Sequence, residues 1–181
     1  PPRSTLFPYT TLFRSAYTNI LSRRINRPFI NLGFSGSGKG ESEVARAIAT
    51  ISNPGCFVLD YEANTAGLEG MTSTLPGFVR ILRQAHPATP ILIVSRIRYA
   101  TESFQPTMVD LRISRRDYQR QYVESLRAAG DNRVFFHDGA DMLGDHWDEC
   151  TVDGVHPTDL GFLRMAEVLE PVLRTILNAR P

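Results

Sequence analysis

The residues most able to do chemistry stand near the C-terminus, in the motif Asp153-Gly154-Val155-His156-Pro157. The glycine permits a tight turn between the acid and the histidine, and the proline keeps the histidine's backbone out of the helix that follows. Such a turn can hold the carboxylate against one imidazole nitrogen and present the other nitrogen to a substrate. We therefore predict that Asp153 and His156 are the orienting acid and the base of a nucleophilic active site. The alternative is a surface loop whose histidine caps the next helix.

A glycine-rich turn earlier in the chain allows two interpretations, of which the first is a phosphate-binding loop. Gly33–Lys39 matches the first seven positions of the pattern G-x-x-x-x-G-K between a predicted strand and a predicted helix. Asp60, at the end of the next strand, would then supply the carboxylate on the magnesium side. The eighth position of such a loop needs a Ser or Thr hydroxyl for magnesium, and this chain has Gly40. The missing hydroxyl argues against a nucleotide-binding kinase or NTPase.

The second interpretation is an oxyanion site. A glycine after a strand exposes its backbone N–H group, so the glycine turn can offer such a group to a developing alkoxide. Asn64 follows the neighbouring strand and can offer a side-chain amide N–H to the same oxygen. Together with His156, these donors predict an acyl-transfer site, in which Lys39 is only a charge at the rim.

Short apolar segments alternate with amphipathic helical segments along the chain, which predicts a doubly wound α/β fold with a parallel sheet. Ligands of such sheets bind beyond the carboxyl ends of the strands. Arg96 and Arg98 leave one strand at that edge and are expected to line the substrate cleft. The alternative is that both are solvated loop charges. The predicted strands are 29–33, 56–60, 90–95 and 132–137, and the predicted helices are 16–24, 41–51, 74–85, 114–129 and a last one from about 158.

Three blocks in this order resemble the later blocks of the SGNH (GDSL-type) hydrolases, a family of esterases, lipases and acylhydrolases: 30–38, 58–60 with Asn64, and 153–157. The resemblance covers 16 to about 178. It implies a flavodoxin-like, three-layer α/β/α sandwich and a carboxylic ester substrate, for example a short acyl group on a sugar or small alcohol. By position it assigns the oxyanion roles to Gly36 and Asn64, the base to His156 and the orienting acid to Asp153. No cofactor is implied.

The family's nucleophilic serine lies in a G-D-S-like block after the first strand, and this chain departs from the family at that place. The first fifteen residues read PPRSTLFPYTTLFRS, contain a near-duplicate TLF and resemble translated adapter or cloning sequence. We therefore divide the chain into a non-native-looking segment, 1–15, and a single SGNH hydrolase-like domain, 16–181, whose first strand is absent or non-native. The nucleophile block is then missing and activity is impaired, although 6–7 or 11–13 can form a makeshift strand. Ser35 is the alternative nucleophile.

Composition narrows the remaining partners of this 181-residue chain. Its formal net charge is +1 and it has no basic run, so no nucleic-acid partner is predicted. Cys56 and Cys150 stand far apart, and the four histidines lack the spacing of a zinc site, so no metal is predicted. No apolar run approaches the roughly 18 residues that a membrane span needs. A small-molecule ester is the expected partner, and a catalytically silent α/β binding module is the other alternative.

Overall fold

The computed structural model describes residues 14–33 and 36–179, and a short parallel sheet lies at its centre. Its strands are β1 (Phe57–Leu59), β2 (Ile91–Val94) and β3 (Val134–His137), in the spatial order β1-β2-β3. Every residue of β2 is buried, because the strand has neighbours on both edges and helices on both faces.

Helices cover both faces of this sheet. Alternate residues of β2 point to opposite faces, so Leu92 and Val94 pack against the first and last helices, whereas Ile91 and Ile93 pack against the other three. The predicted three-layer α/β/α sandwich is thereby confirmed. The helices are α1 (Tyr17–Ile25), α2 (Ser42–Ala49), α3 (Gly67–Ala85), α4 (Pro106–Ala128) and α5 (Asp159–Asn178). No helix in the described ranges is both long and apolar enough to cross a membrane.

The predicted strand at 29–33 is wrong, because the segment has no regular secondary structure. Ile30 and Leu32 are 65% and 40% exposed, where a strand buried in a sheet would cover them. Within 14–33 and 36–179, β1 is an edge strand of the sheet, and the segment forms no ladder of hydrogen bonds with it. The predicted makeshift strand at 6–7 or 11–13 lies outside the described residues.

Two helices begin earlier than their apolar patterns predicted. Helix α3 starts at Gly67 rather than at 74, because the buried Met71 continues its apolar stripe by one turn. Helix α4 starts with Pro106 in its first turn rather than at 114. Its inner face buries Arg112 and Arg115, so a search for apolar periodicity passes over this half of the helix.

Candidate active site

Asp153 and His156 form the pair that their spacing predicts. The Nδ1 atom of His156 lies 2.6 Å from Oδ2 of Asp153. The other carboxylate oxygen, Oδ1, accepts the backbone N–H groups of His156 at 2.8 Å and Val155 at 3.0 Å. The backbone and ring N–H groups of His156, with that of Val155, lower the pKa of Asp153 to about 2. The acid is therefore ionised at neutral pH, and with the proton on Nδ1 the Nε2 atom of His156 is free to accept another.

The loop that carries this pair, 152–157, is closed at its base. An antiparallel bridge joins Thr151 to Pro157, and the Thr158 N–H donates to the Cys150 carbonyl at 2.8 Å. The Thr158 hydroxyl then accepts the Gly161 N–H at 3.3 Å and caps α5. A Cβ at Gly161 would overlap the Cys150 carbonyl, so glycine lets the helix approach the loop. The loop that carries His156 is therefore held by backbone contacts at both of its ends.

A one-turn 3-10 helix after β2, Ala100–Ser103, supports the same loop, and we call it the Thr101 turn. The Thr101 N–H donates to the Gly154 carbonyl at 3.3 Å. Gly154 has a φ of +87°, and a Cβ there would lie 2.8 Å from Cγ2 of Thr101. Glycine is thus needed both for the backbone conformation and for the close approach.

The two predicted oxyanion donors lie together at the carboxyl end of β1. Asn64 ends the 3-10 turn Glu62–Asn64, which we call the Asn64 turn, and its side-chain amide donates to the Ser37 carbonyl at 3.0 Å. Gly36 precedes that carbonyl, is exposed and has a φ of +64°. An amide group has two N–H donors and the residues that the structure describes accept one from Asn64, so the other can serve a substrate. Ser35, the alternative nucleophile, lies outside the described residues.

The expectation that Arg96 lines the substrate cleft is corrected by its burial, since it is only 3% exposed. Its guanidinium lies 2.7 Å from the carboxylate of Glu102 and is therefore neither in a cleft nor solvated. Glu62, a second buried acid near it, was missed because acidic loop residues usually face water.

Arg98, in contrast, lines an open pocket of about 520 Å³. Its guanidinium pairs with Asp141 at 3.0 Å and lies 5.1 Å from the centre of the Trp147 ring. The remaining lining residues are Gly144, Asp145 and His146. Trp147 begins a 3-10 turn that ends at Cys150, just before the loop of Asp153 and His156.

The glycine-rich turn lacks the features of a phosphate site in its described part. The Lys39 N–H donates to the carboxylate of Glu41 at 2.7 Å, and Glu41 is the residue that precedes α2. A negative charge therefore occupies the helix start, where a phosphate would need positive charge. Asp60, the predicted magnesium ligand, accepts the Tyr17 hydroxyl at 2.8 Å. Within the described ranges no group of three or more His, Cys, Asp or Glu side chains is placed to hold a metal.

The α/β/α sandwich carries a carboxylate–imidazole pair, which is a pair that can orient and supply a general base. The model of the GDSL-like lipase/acylhydrolase family matches residues 14–174. The chain belongs to this family, and the predicted family resemblance is confirmed. No protein with a curated description matches the chain significantly.

Solved structures agree with the family assignment. A protein described as a GDSL-like lipase from Bacteroides ovatus is 36% identical, with a TM-score of 0.84 over 92% of this chain and 49% of its own. The salicylyl-acyltransferase SsfX3 of a tetracycline biosynthetic pathway is 23% identical, with a TM-score of 0.78 over 92% and 51%. A carbohydrate esterase family 3 protein from Talaromyces cellulolyticus is 15% identical, with a TM-score of 0.71 over 92% and 93%. The last two show the fold alone, and the chain spans about half the length of the first two.

Proposed function

We propose that this chain is the base-bearing part of a serine ester hydrolase that acts on a carboxylic ester. The observation that carries the proposal is the 2.6 Å contact between His156 Nδ1 and the ionised Asp153. A histidine fixed in this way can take a proton from a serine hydroxyl as that hydroxyl attacks the ester carbonyl. The Nε2 atom, which takes this proton, then returns it to the leaving alcohol, and it afterwards activates the water that releases the acyl group from the serine. Asp153 keeps the tautomer fixed and stabilises the imidazolium that forms.

The oxyanion of the tetrahedral intermediate would be held by two donors, the Gly36 N–H and the second amide N–H of Asn64. The bond from Asn64 to the Ser37 carbonyl supports this assignment because it fixes the carboxamide beside the glycine loop. Donors that are held in place before the reaction stabilise the developing charge without reorganisation.

The serine itself is, in this proposal, missing from the 181 residues at the family's usual position. Ser4 and Ser15, the serines of the first fifteen residues, do not stand in a Gly-x-Ser turn after an apolar strand. The exposure of the catalytic pair supports the idea of a missing block, since 74% of the His156 side chain is open to solvent. Ser35 is the alternative nucleophile.

The substrate would be an acyl ester of a sugar or a small alcohol. The pocket lined by Arg98 and Trp147 supports this, because it combines an aromatic ring with groups that bind hydroxyls, among them Asp145 and His146. Only two residues separate Cys150, the end of the Trp147 turn, from Asp153, so this pocket adjoins the catalytic loop along the chain.

The test combines p-nitrophenyl acetate hydrolysis with a fluorophosphonate probe, which labels activated serines. Without a serine, His156 can still act as a general base that activates water, and the oxyanion donors can still stabilise the developing charge. We expect slow hydrolysis that His156→Ala and Asn64→Ala abolish, and no probe adduct. His86→Ala is the matched control, because His86 bonds to the Ala49 carbonyl, away from the catalytic loop.

Two outcomes would overturn parts of the proposal. A probe adduct on Ser35, together with loss of hydrolysis in Ser35→Ala, would show that Ser35 is the nucleophile and that no block is missing. Equal hydrolysis by the wild type and His156→Ala would remove the proposed function and favour a catalytically silent module.

A further inference from the structure

A cluster of charged side chains is buried beneath the carboxyl edge of the sheet, and the proposed mechanism does not use it. We call it the Arg96 cluster, and each member is at most 7% exposed. Buried charges are costly unless each one is paired and hydrogen-bonded, so such a cluster ties together the elements that supply its members. Its members are Glu62, Arg96, Glu102, Arg112 and Arg115.

Arg96 stands at the centre of the cluster and contacts both acids. Its Nη1 atom donates to Glu102 at 2.7 Å, and its Nη2 atom donates to the Met108 carbonyl at 2.9 Å. Its backbone N–H donates to Glu62 at 2.9 Å, and its Nε atom lies 3.7 Å from the other oxygen of that acid. The Tyr99 ring stacks on the guanidinium, with 4.1 Å from Cζ to the ring centre. The side chain is therefore held at both Nη atoms and by the stacked ring, whereas its buried Nε makes no hydrogen bond to the described residues.

On one side, the cluster reaches the predicted oxyanion donor. Glu62 begins the turn that Asn64 ends, and its carboxylate accepts the Gln119 side-chain amide at 2.6 Å. Arg115 donates to the Glu62 carbonyl at 2.8 Å, which holds the backbone of the same turn. Burial raises the pKa of Glu62 above its usual range, so its ionised form depends on these partners and on Arg96.

On the other side, the cluster reaches the loop of His156, the predicted base. Glu102 belongs to the Thr101 turn, and its carboxylate also accepts the Arg112 Nε at 3.0 Å. Burial alone would raise the pKa of Glu102, but hydrogen bonds from Arg96 and Arg112 outweigh it and lower that pKa. The adjacent Thr101 N–H donates to the Gly154 carbonyl, in the loop between the acid and the base.

We propose that Arg96 is a positioning residue, which sets the Asn64 turn in place relative to the loop of Asp153 and His156 by holding Glu62 and Glu102 at once. That this positioning by Arg96 matters for catalysis rests on the proposed function. The arrangement is a path of contacts from one predicted reactive group to the other, in which Arg96 holds Glu102 by a guanidinium hydrogen bond and Glu62 by its backbone N–H and a 3.7 Å ion pair. A lysine would keep the backbone bond to Glu62, but its single ammonium lacks the planar fork with which the guanidinium binds Glu102 and the Met108 carbonyl.

The test compares NMR spectra of the folded wild type, Arg96→Met, Arg96→Lys and Arg83→Met. Arg83 is the matched control, since it forms an ion pair with Asp131 at 2.9 Å and bonds to the Thr89 carbonyl. These contacts lie near the amino ends of the strands, away from the site. The signals to follow are the Asn64 carboxamide, the His156 ring and hydrogen exchange of the Thr101 amide.

We expect Arg96→Met to shift the NMR signals of both Asn64 and His156. Hydrogen exchange of the Thr101 amide should become about tenfold faster, after correction for any change in the exchange of the slowest core amides. Arg96→Lys should shift the same signals less, and Arg83→Met should change overall stability without moving either signal.

Unmoved Asn64 and His156 signals in Arg96→Met, or equal shifts in Arg83→Met, would overturn the proposal. If Arg96→Met does not fold, Arg96→Lys decides by the same criterion. These measurements need no ester hydrolysis, so their failure and that of the proposed function are distinguishable.

Discussion

Replacing Gly154 by alanine should destabilise the protein through the loop that carries Asp153 and His156. The φ of +87° places a side chain in the left-handed region, which costs roughly 1–2 kcal/mol for a residue other than glycine. The new Cβ would also lie 2.8 Å from Cγ2 of Thr101, and such crowding adds about 1 kcal/mol when the neighbour can shift slightly. We therefore expect Gly154→Ala to lower the free energy of unfolding by about 2–3 kcal/mol.

Two other glycines separate these causes. Gly130 follows the end of α4 with a φ of +99°, and no described atom lies within 4 Å of the place that a Cβ would take, so Gly130→Ala should show only the conformational cost of about 1–2 kcal/mol. Gly77 lies inside α3, where the described residues also leave room for a Cβ, so Gly77→Ala should stabilise by about 0.4–1 kcal/mol. The order of stability should be Gly77→Ala, wild type, Gly130→Ala, Gly154→Ala.

Urea denaturation measures these differences in the free energy of unfolding, provided that the m-value is the same in all variants. An NMR spectrum of each variant shows whether the His156 ring keeps its environment. Gly154→Ala should move the ring signal, whereas the two other variants should not. The reasoning is refuted if Gly154→Ala is as stable as the wild type, or if it matches Gly130→Ala with the ring signal unmoved. The contact with Thr101 would then place no constraint on the loop.

Three further predictions concern groups around the site and the sheet. Gly139→Ala should cost on the order of 4 kcal/mol or prevent folding, because a Cβ there overlaps the Ser95 carbonyl, and the same urea titration checks it. The pKa of Asp153 is lowered to about 2, so the stability it contributes is present above its unfolded pKa of roughly 3.9 and is lost as the pH falls towards 2. A carboxyl ¹³C NMR titration with a midpoint near 4 would contradict this. Cys56 is half-buried, and burial raises the pKa of its thiol to about 12, so iodoacetamide at pH 8 should alkylate it more slowly in the folded than in the denatured protein, and equal rates would argue otherwise.

The fold class was predictable because it follows from the order of apolar segments, each of which is a local feature. The segment 90–95 is apolar at successive positions, as a strand covered on both faces must be, and it forms β2. The segment 29–33 has a similar composition and forms no strand. Pairing depends on a neighbouring strand rather than on the segment's own residues, and the described residues place none on the outer side of β1.

The candidate site was predictable where its contacts are local. Asp153 and His156 are three residues apart, so one turn is enough to bring them together. The burial of Arg96 was not predictable in this way, because it depends on Glu62, which is 34 residues away, as well as on Glu102. A charged side chain in a polar loop usually faces water, and only the tertiary structure shows that this one does not.

The central claim is that Asp153 and His156 activate a serine that the family places before α1. The most direct measurement replaces 1–15 by a strand and G-D-S block built on the relative from Bacteroides ovatus, then times fluorophosphonate labelling. We predict labelling of the new serine, slowed roughly 100-fold or more by His156→Ala and left unchanged by His86→Ala. Equal labelling with and without His156, in a folded protein, would contradict the account.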